Sequence, residues 1–179
     1  MKIGLVRHFK VKHELRWSRR FTPRELRQWF EEYDAADVEP GEVALQGISW
    51  QRCLSSDMPR AAQTATGIFP GPVEQTPRLR EVPGLPIFQA EVRLPMWLWA
   101  LLVPLAWKLR HPSQSESREQ VEQRVREALE EALRTDGNVL IVSHGVLMRF
   151  LRAELLRRGF RGPKISRRPP NGALYVFEK

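Results

Sequence analysis

Cysteine is nearly absent from this chain: Cys53 stands alone among 179 residues. No intrachain disulfide can form, so packing must hold the fold, and a reducing, cytoplasmic setting is expected. No Cys/His grouping has the spacing of zinc ligands. No apolar run is long enough to span a bilayer. The longest, 94–107, covers fourteen residues and is broken by Pro104, against the roughly 20 that a spanning helix needs. The N-terminus enters a strand-like run, Lys2 to Val6, with no apolar signal segment ahead of it. Acidic residues are in deficit, 21 against 29 lysines and arginines, for a net charge of +8.

The basic surplus crowds both ends, from Arg7 to Arg27 and from Arg149 to Arg168. It favours anionic partners: phosphorylated metabolites, nucleic acid or acidic lipid. Solvated helix faces explain it equally well. No nucleic-acid-binding motif accompanies the charge, so nucleic acid is not an expected partner. There is no internal repeat and no low-complexity tract. Hydrophobic residues at 42% and charged residues at 28% are ordinary for a globular chain. At this length a single domain, 1–179, with a sizeable core is expected.

Strand and helix patterns alternate. Residues 2–6 read as a buried strand. Thr22-Pro23-Arg24-Glu25 has the form of a capping box with proline at the first helical position, and Leu26, Trp29, Phe30 and Tyr33 follow at helical spacing. That predicts a helix over 23–34. Glu39 to Glu42 reads as a turn and 52–55 as a short strand. Asp57 is a candidate cap for a helix running to about Phe69, with Pro59 in its first turn. Residues 73–76 suit a short edge strand. A second capping box, Ser117 to Gln120, opens a helix over 118–134 with Val121, Val125, Ala128, Leu129, Ala132 and Leu133 in one apolar stripe. Residues 139–143 form another buried strand. A helix follows with Val146, Leu147, Phe150, Leu151 and Leu155 inward, closed by Gly159, and 172–178 reads as a final strand. Such alternation predicts an α/β layered sheet.

Two of these strands deliver a histidine to their C-terminal ends: Leu5-Val6-Arg7-His8 and Val142-Ser143-His144-Gly145. In open α/β sheets that edge is where ligands bind. A neutral imidazole is a competent nucleophile toward phosphorus, and Arg7 supplies a planar fork that matches phosphate. Arg60 lies in the first turn of a helix directly after a strand, where anions are favoured; Ala61, Ala62 and Ala65 suggest that this helix packs tightly and aims Arg60 at the strand ends. Gly145 would let the backbone approach His144 closely. Glu81, in Leu79-Arg80-Glu81, offers a carboxyl group whose pKa burial could raise for proton transfer. Taken singly, each has a bland explanation: a structural histidine, a surface arginine, a solvated glutamate.

Taken in order, Leu-Val-Arg-His, then Ser-Ser-Asp-x-x-Arg-Ala-x-Gln-Thr-Ala, then Leu-x-Glu, then Val-Ser-His-Gly resembles the histidine phosphatase superfamily, also called phosphoglycerate mutase-like. The resemblance implies a three-layer α/β/α sandwich around a mostly parallel sheet. It implies a metal-independent phosphatase that hydrolyses a phosphomonoester through phosphohistidine on His8, without a cofactor. Arg7, Arg60 and His144 would join His8 in the phosphate pocket. Glu81 would protonate the leaving group and later help to activate water. Alternatives are a phosphoglycerate-type mutase, for which the chain is short, and a catalytically weak module that binds a phospho-ligand or phosphoprotein. The expected partner is a phosphorylated small molecule, with a phosphoprotein as the second option.

One departure stands out. Where the family usually has glycine or threonine after the nucleophilic histidine, this chain has Phe9, whose ring is expected to reshape the pocket mouth, stacking on a leaving group or obstructing it. Residues 82–115 are rich in proline and occupy the place where family members carry a substrate-selecting cap. Within them, 94–107 holds Trp97, Trp99 and Trp107. It reads first as a helix or lid packed on the core; an apolar acceptor pocket, a dimer contact and a membrane-surface contact are the other readings. Lys10, Lys12, His13 and Arg16 would rim the pocket if their loop lies over it. Oligomeric state has no signature here.

Overall fold

Strand periodicity places Ile3 and Leu5 on one side of the first strand and Val6 on the other, and all three are buried. A strand buried on both faces needs a layer on each side. The computed structural model describes residues 1–14, 17–88 and 90–179. In chain order they form β1 (Lys2–Arg7), β2 (Arg20–Phe21), α1 (Pro23–Ala35), β3 (Arg52–Ser56), α2 (Pro59–Ile68), β4 (Val73–Thr76), β5 (Leu94–Pro95), α3 (Met96–Lys108), α4 (Arg118–Ala132), β6 (Val139–Ser143), α5 (Leu147–Arg157) and β7 (Leu174–Glu178).

The main sheet runs β4-β3-β6-β1-β7. Its first four strands are parallel, and β7 adds antiparallel along β1. The mostly parallel α/β sheet expected from the sequence is therefore present. On one face, α4 and α5 bury Val121, Val125, Leu129, Leu147 and Leu151 against Ile3, Leu5, Leu54 and Ile141. On the other, Ala61 and Ala65 of α2 pack on Val6, Cys53, Leu140 and Val142. A third cluster joins Leu26 and Trp29 of α1 to Phe21, Met96 and Trp99.

Both capping boxes form. Thr22 and Glu25 bond each other's backbone N–H at 3.2 and 2.8 Å, and Ser117 and Gln120 do so at 3.3 and 2.7 Å. Asp57 does not cap α2. Met58 occupies the cap position, its N–H donating to Ser56 Oγ at 3.2 Å, and Asp57 instead holds Arg80 in a two-pronged ion pair. An arginine fork matches both carboxylate oxygens at once, which a lone backbone N–H cannot do. Val146 is not inward either: it caps α5 and is exposed. The two-residue ladder of β2 with β5 was not legible in the sequence.

Candidate active site

Register makes the site. Arg7 of β1 pairs with Ser143 of β6, so the next residues, His8 and His144, leave adjacent parallel strands side by side. His8 N–H donates to the Ser143 carbonyl at 3.0 Å. The two imidazole centroids lie 5.2 Å apart, and His8 and His144 are 2% and 0% exposed.

Hydrogen bonds settle the tautomers. His8 Nδ1 lies 2.6 Å from the Phe9 carbonyl, which can only accept. The proton therefore sits on Nδ1 and leaves Nε2 with a bare lone pair. His144 has the opposite arrangement: Arg60 Nε donates to its Nδ1 at 3.2 Å, so its Nε2 carries the proton. Both rings are held neutral. Burial, opposed by the Phe9 hydrogen bond and aided by Arg60 and Arg7, pushes His8 down to about 3. Burial first, then the same arginines and His8 itself, holds His144 well below the ordinary histidine value.

Arg60 is buried in the first turn of α2. Its Nη1 donates to Asp34 Oδ1 at 2.6 Å, and its guanidinium lies 5.1 Å from the centroid of the Tyr33 ring. The last turn of α1 thus brackets Arg60 with a carboxylate and an aromatic face. Arg7 donates from Nη1 to the Pro169 carbonyl. Arg7 Nε and His144 Nε2 are buried and have no partner among the described residues. Buried donors without partners are uncommon and costly; Arg7 lines a cavity, and His144 packs against His8, which also lines it. Gly145 packs beside Arg7, but a β-carbon there would make only ordinary contacts at 3.5 and 3.6 Å, so the close approach expected at this glycine is not demanded by space.

Glu81 joins the site from the far side. Oε2 accepts from Val146 N–H at 3.1 Å, and Oε1 accepts from Leu147 N–H at 3.1 Å and its neighbour Val82 N–H at 3.0 Å. The carboxyl caps the N-terminus of α5, where the helix favours negative charge. Burial outweighs those hydrogen bonds and moves its pKa above the ordinary carboxylate range.

Arg7, His8, Arg60 and Glu81 line one cavity of about 1090 Å³; His144 is outside its lining, buried against the His8 ring. Its wall mixes apolar and charged side chains: Trp29, Phe30 and Tyr33 of α1 with Arg27 and Glu31 of the same helix, and Val82, Leu85 and Met96 with Arg80, Glu116 and Arg124. Part of the 82–115 segment therefore does wall the cavity. Phe9 does not line it. Its ring is 7% exposed and sits against Gly41 and Gly172, where a β-carbon would come within 2.9 and 3.3 Å of it. The bulk expected at the pocket mouth is spent in packing. Lys10, Lys12 and His13 do not line the cavity either. Lys10 pairs with Glu39, Lys12 is exposed, and His13 rests on Trp29; Arg16 lies outside the described residues. Asp34 went unnoticed in the sequence. Its only signal there was its place next to Tyr33, at the end of an aromatic stripe.

The model of the histidine phosphatase superfamily (branch 1) matches residues 35–178. The chain belongs to this superfamily. The matched span includes Arg60, Glu81 and His144 and begins after Arg7 and His8. Solved structures extend the likeness of fold to the whole chain. A Bacillus stearothermophilus protein, YhfR, superposes with a TM-score of 0.61 at 22% identity, covering 99% of this chain and 90% of its own. An Entamoeba histolytica phosphoserine phosphatase mutant, solved with phosphoserine, gives 0.60 at 18% identity, with 99% and 90% covered. A mycobacterial glucosyl-3-phosphoglycerate phosphatase gives 0.52 at 23% identity, with 87% and 79% covered. No curated protein matches this chain.

Proposed function

We propose that the protein is a phosphomonoesterase that works through phosphohistidine on His8. The observation that carries this reading is the pair of neutral imidazoles 5.2 Å apart with opposite tautomers. One ring presents a lone pair and the other a proton, and two guanidinium groups flank them.

The substrate phosphate docks against Arg7, Arg60 and His144 Nε2–H. His8 Nε2 attacks phosphorus in line, and the ester P–O bond breaks. The departing alkoxide takes the proton of the Glu81 carboxyl group, whose acid form is favoured by burial. Water then attacks phosphorus, Glu81 takes its proton, and the N–P bond breaks to release inorganic phosphate and restore His8. The two arginines neutralise charge building on the phosphoryl oxygens without having to move. The cavity wall, where aromatic side chains alternate with Arg27, Arg80 and Arg124, suits a small phosphorylated substrate.

The module reading drew its support from Phe9 obstructing the pocket, and that support is gone because the ring packs elsewhere. An aryl phosphate is the direct test. Wild type is expected to hydrolyse it and to trap an acid-labile phosphoryl label on quenching, and His8→Ala to lose both. Turnover that survives in His8→Ala would overturn the reading.

A further inference from the structure

Helix α3 has two apolar faces, and only one is used. Met96, Trp99 and Ala106 are buried, with Trp99 Nε1 donating to the Phe21 carbonyl at 3.1 Å. Along the other face Trp97, Leu101, Leu105 and Leu109 recur every four residues at 57%, 61%, 47% and 70% exposure. Residues four apart share a helix face, so these form one continuous stripe, with Ala100 and Pro104 exposed beside it. Monomeric soluble proteins rarely leave such a contiguous patch open. A helix of thirteen residues rises only about 20 Å, short of the ~30 Å hydrocarbon core, so it cannot cross a bilayer. Among the described residues no helix is long and apolar enough to do so.

Charge identifies the occupant. The N-terminal end of α3 is tied to a basic corner: Met96 N–H donates to the Arg19 carbonyl, and Arg20 pairs with Pro95 in the β2–β5 ladder. Exposed Trp17 lies two residues before Arg19. Lys108 and Arg110 close the other end. Arg93 and Arg110 are each held by a glutamate, Glu25 and Glu119 respectively. Arg19, Arg20 and Lys108 hold no carboxylate among the described residues. A second copy of the chain is a poor fit. Two-fold contacts pair like surfaces, and a stripe basic at both ends would set cation on cation whether the helices ran parallel or antiparallel. An anionic lipid surface complements both ends at once, takes up the apolar side chains between them, and suits the tryptophan at the boundary. The net charge of +8 acts in the same direction at longer range.

We infer that α3 is an interfacial docking helix that lies in the plane of an anionic lipid surface, with Trp97, Leu101 and Leu105 inserted. The proposal is independent of the catalytic reading, and its test does not require turnover.

The experiment is flotation of the whole protein with vesicles of phosphatidylcholine alone or mixed with phosphatidylglycerol. Expected results are co-flotation with the mixed vesicles, little with phosphatidylcholine alone, and loss at high salt. Leu101→Glu and Leu105→Glu are each expected to lower the partition coefficient about tenfold or more, while the melting temperature and any hydrolysis of a soluble aryl phosphate stay at wild-type values. Absence of binding to the mixed vesicles would overturn the proposal. So would binding that Leu101→Glu leaves intact, since that is attraction to the basic surface in general. A dimer in sedimentation that Leu101→Glu dissolves would assign the stripe to a second copy and overturn it as well.

Discussion

Asp34 decides how Arg60 is presented. The arginine has one group facing Asp34 and another facing His144, so loosening the first disturbs the second. Hydrogen bonds to charged groups contribute about 1.5–3 kcal/mol, which corresponds to roughly a 10- to 100-fold effect. Asp34→Asn is expected to lower kcat/KM for an aryl phosphate by that factor and to weaken vanadate inhibition in parallel. Asp34→Glu should recover part of both. Unchanged vanadate affinity in Asp34→Asn would show that the carboxylate does not position Arg60. Glu81 makes a pH prediction. Its carboxyl is held above the ordinary range, so the acid form persists to higher pH than in an ordinary glutamate and is lost as pH rises through the raised value. kcat should therefore fall on the alkaline side of an acidic optimum. Glu81→Gln should remove that limb and lower kcat by about 10²- to 10⁴-fold; a pH profile identical to wild type would reassign the proton donor.

The helices were legible because their signals are local. Thr22/Glu25 and Ser117/Gln120 are read within four residues, and both boxes form as expected. Their contribution can be measured: Ser117→Ala and Thr22→Ala should each cost about 1 kcal/mol in urea unfolding. Thr22→Ala carries an added consequence, because the last turn of α1 delivers Tyr33 and Asp34 to Arg60. A rise in KM with Thr22→Ala but not with Ser117→Ala would show that fraying of α1 reaches the site. Segment 94–107 was half legible. Its apolar run announced a helix or lid, but two faces of equal hydropathy do not say which is buried. Trp99, 1% exposed, anchors the buried face, and Trp99→Ala is expected to cost about 3–5 kcal/mol. Asp57 was misread because a cap and an ion pair ask for the same carboxylate, and its partner Arg80 is contributed by a different part of the chain.

For the molecule as a whole, two buried neutral histidines make acid the weak side. In the unfolded chain each would titrate at about 6.5, whereas in the fold burial pushes His8 down to about 3 and holds His144 well below its ordinary value. Between those values the unfolded state binds more protons, so stability falls as pH drops below the unfolded pKa. The loss at pH ~5 is on the order of 2 kcal/mol for a histidine shifted that far. His8→Gln should flatten the decline of urea stability between neutrality and that pH; a slope equal to wild type would mean that His8 is protonated in the fold.

The sequence by itself determined the alternating strands and helices and the capped starts of α1 and α4, and it offered the candidate residues of the site. Arg7, His8, Arg60 and His144 stand out because each lies at a strand end or a helix start, while Glu81, in a loop, was named through the family resemblance. Tertiary structure alone decided what surrounds them. Parallel register, which no single strand encodes, set His8 beside His144. Packing between Gly41 and Gly172 removed Phe9 from the pocket, and the end of α1 brought in Asp34. Those outcomes depend on contacts between residues far apart in the chain, where burial and pairing are settled only once the sheet has closed.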